Sequence, residues 1–305
     1  MSGARPAGRI VYLYYRLSAA TFRLLPRPLA GMVGALAGRL AGVLNPAQCR
    51  VVAGNLGHVV GAATDERALR GLVRRAYGAY GRYWSEAARL RPGDRSLLSG
   101  RFSIEGAENL FAAARAGRGV VLALPHLGTW EAGGVWAASV GLPLTAVAEP
   151  LEPPELFSWF VEGREALGIR IVALGGRVAA DLAAVLKSGG AIALLADRDL
   201  GGDGISVEFF GEQTRLPAGP AIFALRAGAA LLPCAVYDLP GGRHHAVIRP
   251  ALAAERHGRL REDAERITQA LAHELEKLIS AHPEQWHVFQ PNWPSVAAAT
   301  GAGGR

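Results

Sequence analysis

The residues best able to do chemistry lie where short apolar runs stop. His126 follows Val-Val-Leu-Ala-Leu (120–124) and Pro125, and Glu131 stands five residues on, in the string PHLGTWE. An imidazole between a strand end and a helix start suits removal of a proton from a hydroxyl. The positive helix N-terminus disfavours imidazolium and keeps the ring neutral. Glu131 could fold back and fix the tautomer of that ring. Asp197 ends a second run, AIALLA (191–196), and could orient the same imidazole. The plainer readings are a structural histidine and a turn acid capping a backbone N–H. Glu149 ends LTAVAE (144–149), and Arg164 follows within FVEGREALG. The carboxylate could hold the guanidinium while it grips a phosphate; a surface ion pair is the alternative. Arg198, beside Asp197, adds a cation at the same edge.

Such positions need a sheet to carry them. IRIVAL (169–174) and ALLPCAVY (230–237) are further continuous apolar runs, and AVIRPAL (246–252) reads as a late strand. Helical spacing covers 106–116, 128–140, 153–167, 177–188, 218–228 and 261–281. This alternation predicts an α/β fold with a mainly parallel central sheet flanked by helices, binding ligands outside the carboxyl ends of its strands. Residues 50–90 read as helical, with breaks at Gly57 and Gly61, and Arg91-Pro92-Gly93 ends them. The stretch 209–220 reads as loop then helix. Its Phe209-Phe210 pair could border an acyl channel or anchor the loop. His244-His245, after Gly241-Gly242-Arg243, reads as a solvated hairpin turn without a third ligand, so no metal site is expected.

The 305 residues carry a net charge of +7, and half are hydrophobic, which excludes a disordered chain. Lys187 and Lys277 are the only lysines, so the cations are forked guanidiniums suited to phosphate and carboxylate. Two distant cysteines, Cys49 and Cys234, exclude a disulfide framework. No compact basic patch interleaves with aromatic residues, so no nucleic-acid partner is expected. Residues 9–25 place Arg9, Arg16 and Arg23 on one helical stripe among apolar residues, and 28–44 space Gly34, Gly38 and Gly42 four apart. Packed helices, a membrane span and interfacial helices compete here. The favoured expectation is amphipathic helices lying on an anionic membrane surface. Three segments follow: 1–48 as membrane-interface helices, 49–295 as the α/β domain, and 296–305 as a disordered tail.

PHLGTWE resembles the H-x-x-x-x-D/E motif of the bacterial lipid A biosynthesis acyltransferase family. The likeness is closest to its actinobacterial branch, the phosphatidylinositol mannoside acyltransferases. YGRYWSE (80–86), VLALPHLGTWEAGG (121–134), VAEP (147–150), REALG (164–168), ADRDL (196–200), VEFFGEQTRLPAGPA (207–221) and HPEQWHVFQPNW (282–293) follow the family's order.

The resemblance implies an enzyme without a cofactor that uses acyl-CoA as co-substrate. It implies a peripheral position on the cytoplasmic face of the inner (plasma) membrane. It implies palmitoyl transfer to the 6-hydroxyl of a mannose on a phosphatidylinositol mannoside or related glycolipid. The family's histidine falls on His126, its motif acid on Glu131, the branch's second acid on Asp197, and its acyl-CoA-contacting arginine on Arg164, with Glu149 beside it. Many members carry Asp where Glu131 stands and Glu where Asp197 stands, which leaves open which acid holds His126. Other acceptors, a lipid A precursor or a lysophospholipid, fit the same chemistry. A non-catalytic basic membrane-binding protein fits the N-terminus alone.

Overall fold

Among the described residues four helices precede the first strand: α1 (Pro6–Leu24), α2 (Arg27–Leu44), α3 (Pro46–Val60) and α4 (Glu66–Ala87). The computed structural model describes residues 6–61, 63–90, 100–199 and 201–301; Arg91-Pro92-Gly93 and residues 302–305 lie outside these. Asn45 starts α3, its side-chain oxygen accepting from the Gln48 N–H at 3.1 Å, with Pro46 following. The 48/49 boundary therefore falls inside a helix. Gly57 does not break α3; the chain leaves it at Gly61. Asp65 caps α4 by accepting from the Ala68 N–H at 2.8 Å.

The glycines of α2 serve a helix crossing. A Cβ on Gly38 would stand 2.1 Å from the Tyr77 carbonyl oxygen, and one on Gly81 2.0 Å from that of Gly34. Only bare backbone lets α2 lie this close to α4. The opposite side of α2 leaves Met32, Leu36, Leu40 and Val43 exposed, and α1 exposes Ile10, Leu13, Tyr14 and Leu17. Among the described residues no helix is long and apolar enough to cross a membrane.

The α/β part runs β1 (Phe102–Glu105), α5 (Ala107–Arg115), β2 (Val120–Leu124), α6 (Trp130–Ser139), β3 (Leu144–Ala148), α7 (Pro154–Ala166), β4 (Arg170–Ala173), α8 (Val178–Lys187) and β5 (Ala191–Leu195). It continues with β6 (Ile205–Phe209), β7 (Glu212–Leu216), α9 (Gly219–Ala227), β8 (Ala230–Leu239), β9 (Arg243–Ile248), α10 (Leu260–Ala281) and α11 (Pro294–Thr300). The sheet order is β1-β9-β8-β2-β5-β3-β4, parallel from β8 to β4 and antiparallel only where β8 meets β9. The expected mainly parallel sheet flanked by helices is what the chain forms.

Successive residues of β2 point to opposite faces. Val121 and Ala123 join a core with α3, α4, α8, α9 and α10. Val120, Leu122 and Leu124 join a second core with α5 and α6. Every residue of β2 is buried, which is why it reads as a continuous apolar run.

Three expectations need correction. His244 and His245 lie in β9, not in a solvated turn. The turn comes earlier, at Gly241-Gly242, and buried His244 reaches Asp238 with Nδ1 at 3.0 Å from Oδ1. The stretch 205–216 is a two-stranded hairpin, not a loop. Phe209 is fully buried beside Trp286 and Trp293, so it anchors the hairpin to the core. Residues 296–300 are helical rather than disordered, because Val296 is buried against the bare backbone of Gly54 in α3.

Candidate active site

Sheet register builds the site. β2 and β5 pair in parallel with Leu124 opposite Leu195, and the Ala196 N–H donates to the Leu124 carbonyl at 2.8 Å. His126 and Asp197 each lie two residues beyond that last pair. They therefore leave neighbouring strands at the same level, although 71 residues apart in the chain. Gly128 then takes the chain into α6 at φ +57°, where any Cβ would stand 2.0 Å from the Val236 carbonyl oxygen. Only glycine fits that turn against β8.

Asp197 holds His126. Nδ1 of the ring is 2.6 Å from Oδ1, and the His126 main-chain N–H donates to Oδ2 at 2.8 Å. A carboxylate only accepts, so Nδ1 carries a proton, and in the neutral ring the lone pair is on Nε2. Asp197 is fully buried. Burial pushes its carboxyl up, but the attraction of His126 and hydrogen bonds from His126 and Trp286 outweigh that and hold it below the ordinary range. The indole N–H of Trp286 donates to Oδ2 at 2.7 Å, and the Asn292 amide donates to the Asp197 carbonyl at 3.2 Å. His126 is about one-fifth exposed, enough for a hydroxyl to approach Nε2.

Glu131 does not reach His126. It sits in the first turn of α6 and points between α4 and α7, where Oε1 accepts from the Tyr83 hydroxyl at 3.0 Å and from Arg164 Nη2 at 2.9 Å. The Arg164 guanidinium also lies over the rings of Trp130 and Phe160, at 5.0 and 5.4 Å. Burial drives the Tyr83 hydroxyl well up. Burial lowers Arg164, yet the pull of Glu131 wins and raises it.

Arg164 therefore does not pair with Glu149. Glu149, half exposed at the end of β3, accepts from Arg198 Nη2 at 3.1 Å. Arg198 Nη1 donates to the Gln290 side chain at 2.8 Å. The exchange follows from position. Arg164 enters an aromatic slot beside α6, while Arg198 leaves the β5 end beside β3.

Trp286 and His287 also adjoin the pair, although no strand end or motif spacing marks them in the sequence. Trp286 forms a bridge with Leu127, and the His287 N–H donates to the His126 carbonyl at 2.6 Å. The His287 ring packs against Tyr80 and Tyr83, and neither ring nitrogen has a hydrogen-bond partner among the described residues. Burial lowers its pKa to about 4, so the ring is neutral. The dense run of Pro, Trp, His and Phe in 282–293 was the available signal.

This arrangement can take a proton from a hydroxyl at Nε2 and balance the resulting imidazolium with a buried carboxylate. The sequence matches the family model for bacterial lipid A biosynthesis acyltransferase over residues 6–295. It is 38% identical over 298 residues to the phosphatidylinositol mannoside acyltransferase of Mycolicibacterium smegmatis, covering 96% of this chain and 95% of that protein. It is 40% identical over 220 residues to the phosphatidylinositol mannoside acyltransferase of Mycobacterium tuberculosis, covering 70% of this chain and 68% of that one. The lipid A biosynthesis acyltransferase of Haemophilus influenzae is 27% identical over 192 residues, or 62% of this chain and 58% of that protein.

Proposed function

The chain belongs to the bacterial lipid A biosynthesis acyltransferase family, and from that premise we propose that it moves a long acyl chain, palmitoyl, from acyl-CoA to the 6-hydroxyl of a mannose on a phosphatidylinositol mannoside. It is an acyltransferase. The observation that carries the reading is the His126–Asp197 pair, with Nδ1 engaged and Nε2 left to accept a proton.

His126 Nε2 takes the proton of the mannose hydroxyl, and its oxygen attacks the thioester carbonyl. Asp197 balances the imidazolium. The tetrahedral oxyanion collapses and expels the CoA thiolate, which recovers the proton from His126. The pair supplies about 10²–10⁴-fold of the rate.

The CoA phosphates meet Arg198, whose guanidinium is held at the strand ends by Glu149 and Gln290. The acyl chain follows the apolar seam between α6 and the sheet. A cavity of about 60 Å³ opens there, with Leu124, Leu195 and Trp130 in its wall, and the side chains around it must part to admit a sixteen-carbon chain. The exposed Leu and Ile side chains of α1 and α2 enter the acyl boundary of the membrane at its cytoplasmic face, and their arginines meet lipid phosphates.

The test is mass spectrometry of products from palmitoyl-CoA and purified phosphatidylinositol mannoside. A palmitoylated mannoside, lost in His126→Ala, is expected. No mannoside product, with transfer to a lipid A precursor or lysophospholipid instead, overturns the acceptor. Undiminished transfer by His126→Ala overturns the mechanism.

A further inference from the structure

Gln285, Trp286 and His287 form a strap across the turn that carries His126. Two main-chain hydrogen bonds join strap and turn. The His287 N–H donates to the His126 carbonyl at 2.6 Å, and the Gly128 N–H donates to the Gln285 carbonyl at 3.1 Å. Leu127 and Trp286 face each other between these bonds as an antiparallel bridge. The strap touches the acid as well, because the Trp286 indole donates to Asp197 at 2.7 Å. Both members of the catalytic pair therefore rest on residues that lie outside the strands of the central sheet.

The Gln285 side chain ties the strap to the sheet. β8 outruns β2: their pairing reaches Ala123 and Pro233, whereas β8 continues to Leu239. Beyond that point the Asp238 N–H donates to Gln285 Oε1 at 2.7 Å, and Gln285 Nε2 donates to the Asp238 carbonyl at 2.9 Å. One primary amide thus stands where a neighbouring strand would stand, meeting the donor and the acceptor of a single residue. Gln285 is buried, and its own N–H donates to the His282 carbonyl at 2.9 Å. A carboxylate in its place only accepts, and an apolar side chain does neither. At the far end Asn55 of α3 holds the Val288 and Gln290 carbonyls at 3.1 and 2.8 Å. Asn55 fastens this segment to a helix, and Gln285 fastens it to the sheet beside the His126 turn.

We infer that Gln285 is a positioning residue for the base: it holds His126 and Asp197 in register without touching substrate. The inference rests on the reading that His126 removes a proton from an acceptor hydroxyl. Without the Gln285 amide the strap can slide along the His126 turn. The His126 carbonyl and the Asp197 carboxylate then lose their common support. Displacement of a base by about 1 Å costs on the order of 10²-fold in rate, while substrates bound by other residues keep their affinity.

The experiment compares the full-length protein with Gln285→Met and Gln285→Glu. Gln285→Met keeps length and packing and loses both side-chain hydrogen bonds. Its kcat should fall about 10–100-fold, with the KM values of acyl-CoA and acceptor close to those of the parent. The short His126–Asp197 hydrogen bond places the Nδ1 proton far downfield in the NMR spectrum, and its loss in His126→Gln assigns it. In Gln285→Met that proton should move upfield or vanish by exchange with solvent. A lower melting temperature with the proton and kcat both in place would make Gln285 a structural tie only and overturn the inference. Gln285→Glu is the nearly isosteric second variant. Its ionised carboxylate repels the Asp238 carbonyl, whereas the protonated acid donates to it as the amide does. The ratio of its kcat to that of the parent should therefore rise as pH falls. Asp238, His244, His282, Glu284 and His287 titrate nearby in both proteins, so the ratio isolates the substituted carboxyl. A ratio that stays near one at every pH overturns the inference. If the parent acylates no lipid, the acyltransfer reading falls, and the Nδ1 proton still decides for or against Gln285.

Discussion

Asp197 grips His126 twice, once at the ring through Nδ1 and once at the main-chain N–H, with both carboxylate oxygens engaged. The grip fixes which nitrogen is basic. In Asp197→Asn the amide can donate to Nδ1, which moves the ring proton to Nε2 and removes the base. The expected loss in kcat is about 10³–10⁴-fold, with the fold intact by circular dichroism. Retention of even a tenth of the parent kcat would sink the assignment of Asp197.

Glu131→Gln should behave differently. Glu131 neutralises Arg164 inside the protein, so its loss strands a buried cation, at a cost of about 3 kcal/mol or more. Thermal unfolding should move down by several degrees. The kcat should fall far less than in Asp197→Asn. A kcat loss equal to that of Asp197→Asn, at unchanged stability, would return Glu131 to the catalytic pair.

Trp286→Phe removes the N–H that donates to Asp197 Oδ2. A carboxylate with one donor fewer holds the His126 imidazolium more firmly. The acid limb of the kcat/KM profile should therefore move to higher pH, with a rate loss of about tenfold at neutral pH. An unmoved limb would mean that the indole only fills space.

His287 and Asp197 both make the fold sensitive to acid. The ordinary histidine value is 6.5, and burial lowers that of His287 to about 4. Between these values the unfolded chain takes up a proton that the folded ring refuses, so stability falls as pH drops through that window. Below about pH 4 the whole effect, about 3 kcal/mol, is present. Asp197, held below its ordinary range, stabilises the fold above that range, and the contribution is lost as pH falls through its folded value. His287→Phe should keep the packing on Tyr80 and Tyr83 and flatten the melting temperature between pH 6.5 and 4. An unchanged slope would locate the acid sensitivity elsewhere.

Gly38→Val drives a side chain into the Tyr77 carbonyl. The α2–α4 crossing should open, at a cost of about 1–3 kcal/mol. Limited proteolysis should then cut near Asn45 sooner than in the parent. Unaltered cleavage would show that α2 docks by other contacts.

The strands most visible in the sequence were those buried on both faces. β2, β3, β5 and β8 are apolar runs that admit little else. β1 and the β6–β7 hairpin leave no apolar run because alternate residues face solvent and are polar or charged. β9 begins ahead of its apolar run because His244 and His245 look like turn residues until Asp238 accounts for one of them. His126 and Asp197 were legible from their strand ends. The partners of the other charges were not. Glu131 meets Arg164 and Tyr83 only after α4 and α7 close over α6, and Arg198 meets Glu149 only because β5 lies beside β3. Long-range packing of this kind leaves no periodic mark in the chain.

The common level of His126 and Asp197, set by the Leu124–Leu195 pairing, ties the chemistry to the most protected part of the molecule. The buried amides of β2 and β5 are expected to exchange with solvent only through global opening, whereas α1, which meets water on much of its surface, is expected to fray at low energy. On warming, the N-terminal helices should exchange their amides well before the strand ends do. A protein built this way can let go of its outer helices and still keep His126 and Asp197 in line.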